Sequence, residues 1–110
     1  MARPGFIWDD KNRDHIAEHG ITVFEAEFVV QHAKTPYPTA EGDRKWKVRG
    51  QTQAGRYIQV IYVLASDANI DYTQVDLVSI VAALNALYVI HARPLSDRER
   101  QLFKKKRKNQ

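Results

Sequence analysis

The side chains with the clearest chemical potential are Lys11, His15, His91 and Arg93. Lys11 and His15 lie four apart, so on a helix they share a face. An ammonium beside an imidazole lowers the imidazole pKa and favours its neutral, basic form. His91 and Arg93 lie two apart in the apolar run Tyr88-Val-Ile-His-Ala-Arg-Pro94. On a strand they point to one side, and Tyr88, Ile90 and Ala92 take the other. Histidine suits proton transfer near neutral pH. Arginine can hold a phosphate through two hydrogen bonds and stabilise charge building on its oxygens. This set suits phosphodiester cleavage, with Arg93 as the leading candidate and His91 as a second base. The structural alternatives are an Arg93 pair with Asp97 or Glu99, and a partly buried His91.

A basic segment follows at once. Residues 96–110 hold seven Lys/Arg against Asp97 and Glu99, a local charge of +5, whereas the whole chain carries +4. All of the positive excess therefore sits at the C-terminal end, which suits gripping a polyanion. Lys104, Lys105, Lys106, Arg107 and Lys108 are candidate RNA-backbone contacts, as are Arg49, Arg56 and Tyr62. Arg56 and Tyr62 are six apart on one expected strand, which separates them by roughly 20 Å. The alternative for the lysine run is a solvated tail.

His15-Ile-Ala-Glu18-His19 matches the H-x-x-E-H pattern of inverted zinc peptidases, and its histidines share a helix face. Gly20 ends that helix, and no second, glutamate-rich helix offers a third ligand. The other reading of His19 is a partner for the carbonyls at the helix end. No metal and no cofactor is assigned. Without a paired acidic cluster for magnesium, RNA cleavage would be metal-independent. A base would take the 2′-hydroxyl proton, arginine would stabilise the phosphorane-like state, and an acid would protonate the leaving oxygen.

The elements that must position these groups follow from local signals. Phe6-Ile-Trp8 reads as a short strand. Asp9 or Asp10 caps a first helix that runs to about His19, with Gly20 just beyond its end. Thr22 and Glu25 form a capping box for a second helix to about Ala33, whose apolar stripe includes Phe24, Phe28 and Ala33, widened by Val29 and Val30. Pro36 and Pro38 then impose a loop. Arg44 to Gly50 alternates, placing Trp46 and Val48 toward a core and Lys45, Lys47 and Arg49 on a basic face. A turn over 51–55 joins it to a strand over 56–64. Residues 66–73 read as polar and irregular, and 75–87 as a short helix or extension. A strand over 87–92 precedes a final helix opened by the Ser96/Glu99 capping box.

The expected fold is therefore α+β, a small, mostly antiparallel sheet with two N-terminal helices on one face and a basic C-terminal helix. At 110 residues the chain is one domain, 1–110, with 66–86 as an insertion and 104–110 as a basic tail. It has no cysteine, no signal-peptide core at its start and no apolar run long enough for a bilayer. These features fit a cytoplasmic chain with no membrane partner.

Several blocks, in order, carry a resemblance. They are Trp8-Asp-Asp-Lys-Asn-Arg-Asp-His-Ile-Ala-Glu-His-Gly20, Glu25-Ala-Glu27, Gly50-Gln-Thr, Ala54-Gly-Arg-Tyr57, Ile90-His-Ala-Arg-Pro94 and Arg98-Glu-Arg100. In this the chain resembles the BrnT-type toxins of bacterial toxin–antitoxin pairs over most of its length, excluding roughly 66–86. The resemblance implies a RelE-like ribonuclease fold and a metal-independent RNA-cleaving toxin. It also implies inhibition by a small DNA-binding antitoxin of ribbon-helix-helix type, the complex repressing its own operon. Lys11, Arg56, Tyr62 and Arg93 match family positions. His15 stands where many members have asparagine, His91 where many have serine or threonine, and 66–86 is longer than the usual turn. A homodimer is compatible with the sequence. The leading expectation is thus a toxin-type endoribonuclease. The second is a non-catalytic module that binds RNA or a partner, and the third is a zinc hydrolase using His15 and His19.

Overall fold

Three reciprocal caps and one hairpin set the frame of this protein. The computed structural model describes residues 5–75 and 85–108, with side chains as far as Lys105 in the last helix. The element order is α1 (Asp10–Ala17), α2 (Val23–Gln31), β1 (Thr39–Ala40), β2 (Trp46–Gln51), β3 (Tyr57–Leu64), β4 (Leu87–Pro94) and α3 (Asp97–Lys108). The four strands form one antiparallel sheet in the order β1-β2-β3-β4. The class is α+β.

Asp9 caps α1 in a reciprocal box with Asn12, and Thr22 caps α2 in the same way with Glu25. After Ala17 the chain closes in a turn. Gly20 donates to Ala17 and Ile21 donates to Ile16, with Gly20 at a φ of 73°. That left-handed position suits glycine, as the sequence predicts. The β2–β3 hairpin closes over Thr52–Gly55, where Gly55 donates to Thr52 at a φ of 94°. Ser96 and Glu99 form the third box, at the start of α3.

The main core lies on one sheet face. Val48, Ile58, Val60, Val89 and Ala92 pack there with Ile16 of α1 and Ala26, Val29 and Val30 of α2. A smaller cluster of Ile7, Val63, Ile70 and Tyr88 lies under the segment after β3. That segment forms two short 3-10 turns, Ala65–Asp67 and Tyr72–Gln74. The short helix expected over 75–87 falls mostly outside the described residues.

Several expectations are corrected. Phe24 is 70% exposed, so the buried stripe of α2 is Ala26, Val29 and Val30, with Phe28 and Ala33 only partly covered. Val29 packs closely over Gly50: its Cγ1 lies 3.0 Å from where a Cβ on Gly50 would sit, so a side chain there would press on α2. Trp46 is 38% exposed rather than buried: it opens β2, between Tyr62 of β3 and Ala40 of the two-residue edge strand. Phe6–Trp8 is no separate strand. Phe6 makes a single parallel bridge to Leu87, with Ile7 donating to the Leu87 carbonyl. Finally, a bulge shifts the β3–β4 register, since Ile61 faces His91 but Tyr62 faces Val89. Ile90 is the extra residue, so it does not share a face with Ala92, which joins the main core.

Candidate functional site

Three imidazoles converge where α1 meets β4. His15 and His19 stand four apart at the C-terminal end of α1, one in the helix and one in its closing turn. The bulge turns His91 of β4 toward them. Ring centroids are 5.3 Å apart for His15–His91, 5.0 Å for His19–His91 and 5.8 Å for His15–His19. Each ring offers one nitrogen, and these atoms all lie within 4.8 Å of one another. Burial pushes the His91 imidazole down from its ordinary pKa, helped by charge on His19, His15 and Arg93. Burial thus favours the neutral form of His91, whose ring carries a lone pair that can accept a proton.

Sequence spacing alone left His15 and His19 one ligand short. The strand supplies the third imidazole, from a residue expected only to act with Arg93. No local pattern links position 19 to position 91. The contact needs α1 to pack along β4.

Lys11 and His15 do share a face, and both line an open cleft of about 420 Å³ with Asn69, Tyr88 and Ile90. The Lys11 ammonium is committed to the far wall, donating to the Asn69 carbonyl at 2.7 Å. Beneath the cleft is a buried carboxylate that the sequence marks only as a cap. Asp9 accepts from the backbone of Asn12 and Asp71 and from the Tyr88 hydroxyl, at 3.1, 3.2 and 2.8 Å. Its burial alone would raise its pKa, but these hydrogen bonds together hold it below the usual value. In turn, burial and the Asp9 carboxylate push the Tyr88 hydroxyl far up, so it stays a donor.

The candidate arginines are paired. Arg93 makes a two-pronged contact with Glu99, each bond 2.7 Å. Arg49 reaches the same carboxylate at 3.1 Å and Gln59 at 2.9 Å. Arg56 pairs with Glu25 at 2.9 Å and donates to the Gly20 carbonyl at 3.1 Å, tying β3 to the α1–α2 junction. Lys47 pairs with Glu41 at 3.3 Å. The expected basic face of Lys45, Lys47 and Arg49 is therefore largely neutralised. Tyr62 is 9% exposed within the main core, so it does not sit with Arg93. On α3, Lys104 lies 5.2 Å over the Tyr57 ring and Lys105 is exposed. The side chains of Lys106, Arg107 and Lys108 lie outside the description.

Glu99 thus joins β2, β4 and the start of α3. The Arg93 hydrogen bonds, then the Ser96 amide, hold its carboxyl well below the usual carboxylate range. A depressed carboxylate stabilises the fold fully above its unfolded pKa and progressively less as pH falls through its folded one. Glu99→Gln should lower stability at neutral pH by about 1–3 kcal/mol, since two arginines lose a charged acceptor. Thermal melts across pH should show the gap to wild type shrinking below about pH 4. A gap undiminished at about pH 3 would contradict this role for the ionised carboxylate.

No helix among the described residues is long and apolar enough to cross a membrane. Compared with known proteins, the chain matches no family model, no curated sequence and no solved structure at a significant level.

Proposed function

We propose that this chain is a cytoplasmic toxin-type endoribonuclease that cleaves RNA by 2′-hydroxyl attack, without a metal. The observation that carries the reading is the close approach of His15 and His91, one from a helix and one from a strand. Two imidazoles in contact, one with its neutral form favoured by burial, can take the 2′-hydroxyl proton and return one to the leaving oxygen. Arg93 lies beside His91 and would stabilise the phosphorane charge by exchanging Glu99 for the phosphate. Lys11 sits on the same cleft as His15, near enough to contact a bound phosphate after leaving Asn69. The resemblance to BrnT-type toxins supports the same reading. It adds a ribbon-helix-helix antitoxin as partner and repression of the operon by the complex.

The paired state of Arg49, Arg56 and Arg93 favours a second reading, a module that binds RNA without cutting it. In that case the exposed lysines of α3 carry the affinity. Incubating purified chain with RNA in chelator separates the two. Cleavage is the expected result. Strongly salt-dependent binding with intact RNA would instead establish the binding module.

A further inference from the structure

The histidine cluster has the composition and the spacing of a metal site. A divalent ion held by imidazoles sits about 2.0–2.1 Å from each nitrogen, so two ligands of one tetrahedral ion lie roughly 3.4 Å apart. The three candidate nitrogens here all fall within 4.8 Å. Bringing them to ligand spacing takes movements of at most roughly 1.4 Å, small for side-chain rotation. His19 has room for that movement, being exposed and set in the turn after α1. His15 and His91 are fixed by the helix and the strand, so two ligands are preorganised and the third is adjustable.

A second observation points to the same site. His91 Nδ1 is buried and has no hydrogen-bond partner among the described residues. Buried ring nitrogens are nearly always partnered, and one that is not needs an explanation. An ion coordinated through Nδ1 would supply that partner. With no cysteine in the chain, the donors are imidazoles alone, which suit zinc and its first-row neighbours rather than magnesium or calcium.

We propose that His15, His19 and His91 form a three-imidazole site for one divalent first-row transition-metal ion, with zinc as its occupant. Three protein ligands leave a fourth position open to water, the pattern of reactive rather than purely structural zinc sites. A bound ion takes the lone pairs of His15 and His91. Zinc loading and metal-independent RNA cleavage therefore exclude each other, so the metal switches the site off. That consequence rests on the ribonuclease reading; the binding itself does not.

The test uses the full chain, stripped with chelator and then titrated with Zn²⁺ against a chromophoric competitor, with no RNA present. Cobalt substitution reads the geometry through its visible absorption. The expected result is one ion per chain and a four- or five-coordinate cobalt spectrum. Outer-shell partners alone are worth about 10–100-fold in metal affinity, so His19→Ala should weaken binding by at least about 100-fold. His19 is exposed, so this variant keeps the fold, which circular dichroism verifies. His32→Ala should bind as wild type, because His32 ends α2 with its Nδ1 2.8 Å from the Phe28 carbonyl. Failure to take up one ion at micromolar zinc, or undiminished binding by His19→Ala, would overturn the site. Cleavage assayed separately in chelator keeps the fate of the RNA reading independent of this result.

Discussion

Asp9→Ala should destabilise the protein by about 3–5 kcal/mol, the largest effect expected of any single substitution outside the main core. Asp9 is fully buried, yet its carboxylate accepts from Asn12, Asp71 and Tyr88. Alanine leaves those donors facing a small void. Each unsatisfied buried donor costs about 1–3 kcal/mol, and losing the helix cap costs about 1 kcal/mol more. These costs overlap, so the total falls short of their sum. Asp9→Asn should cost less, because the amide oxygen keeps part of the network. Urea melts of both variants and of Tyr88→Phe check the account. An Asp9→Ala loss of less than about 1 kcal/mol would mean that water replaces the carboxylate at no cost. The network also anchors the segment after β3 to α1, so loosening Asp9 should disturb the cleft beside His15.

The second large effect concerns the imidazoles. His15→Ala and His91→Ala should each slow RNA cleavage by about 10²–10⁴-fold, the usual worth of a positioned acid or base. The double variant should be little worse than the slower single one, because groups acting as a pair are not additive. Single-turnover rates in chelator give this comparison. Arg93→Ala carries an ambiguity that the histidines lack. It removes a phosphate ligand and also strips Glu99 of its main partner, so it weakens the fold as well as any site. Rates for that variant have meaning only beside its melting temperature.

Much of the frame is legible in the residues because its determinants are local. The Thr22/Glu25 and Ser96/Glu99 boxes, the Gly20 helix end and the Thr52–Gly55 hairpin each depend on residues within one turn. Phe24 shows where local reading stops. Its spacing fits an apolar stripe, but which stripe is buried depends on packing against the sheet, as where Val29 lies over Gly50, 21 residues away in sequence. The bulge is equally hidden. Strict alternation places Ile90 with Ala92, and only the register against β3 reveals the extra residue. At the site, Lys11 and His15 follow from helical spacing, and the Arg93–Glu99 pair was a visible alternative. The roles of His19 and Asp9, and the sharing of Glu99 by Arg49, arise from contacts across the fold.

The histidines at the α1–β4 junction are proposed to cut RNA through its own 2′-hydroxyl. The most direct measurement compares an RNA oligonucleotide with its 2′-O-methyl counterpart, incubated with the chain in chelator, and identifies the new ends. The account predicts cleavage of the RNA alone, 2′,3′-cyclic phosphate at the cut, and severe slowing by His91→Ala. Intact RNA, cleavage of the methylated strand, or a rate unchanged in His91→Ala would contradict it.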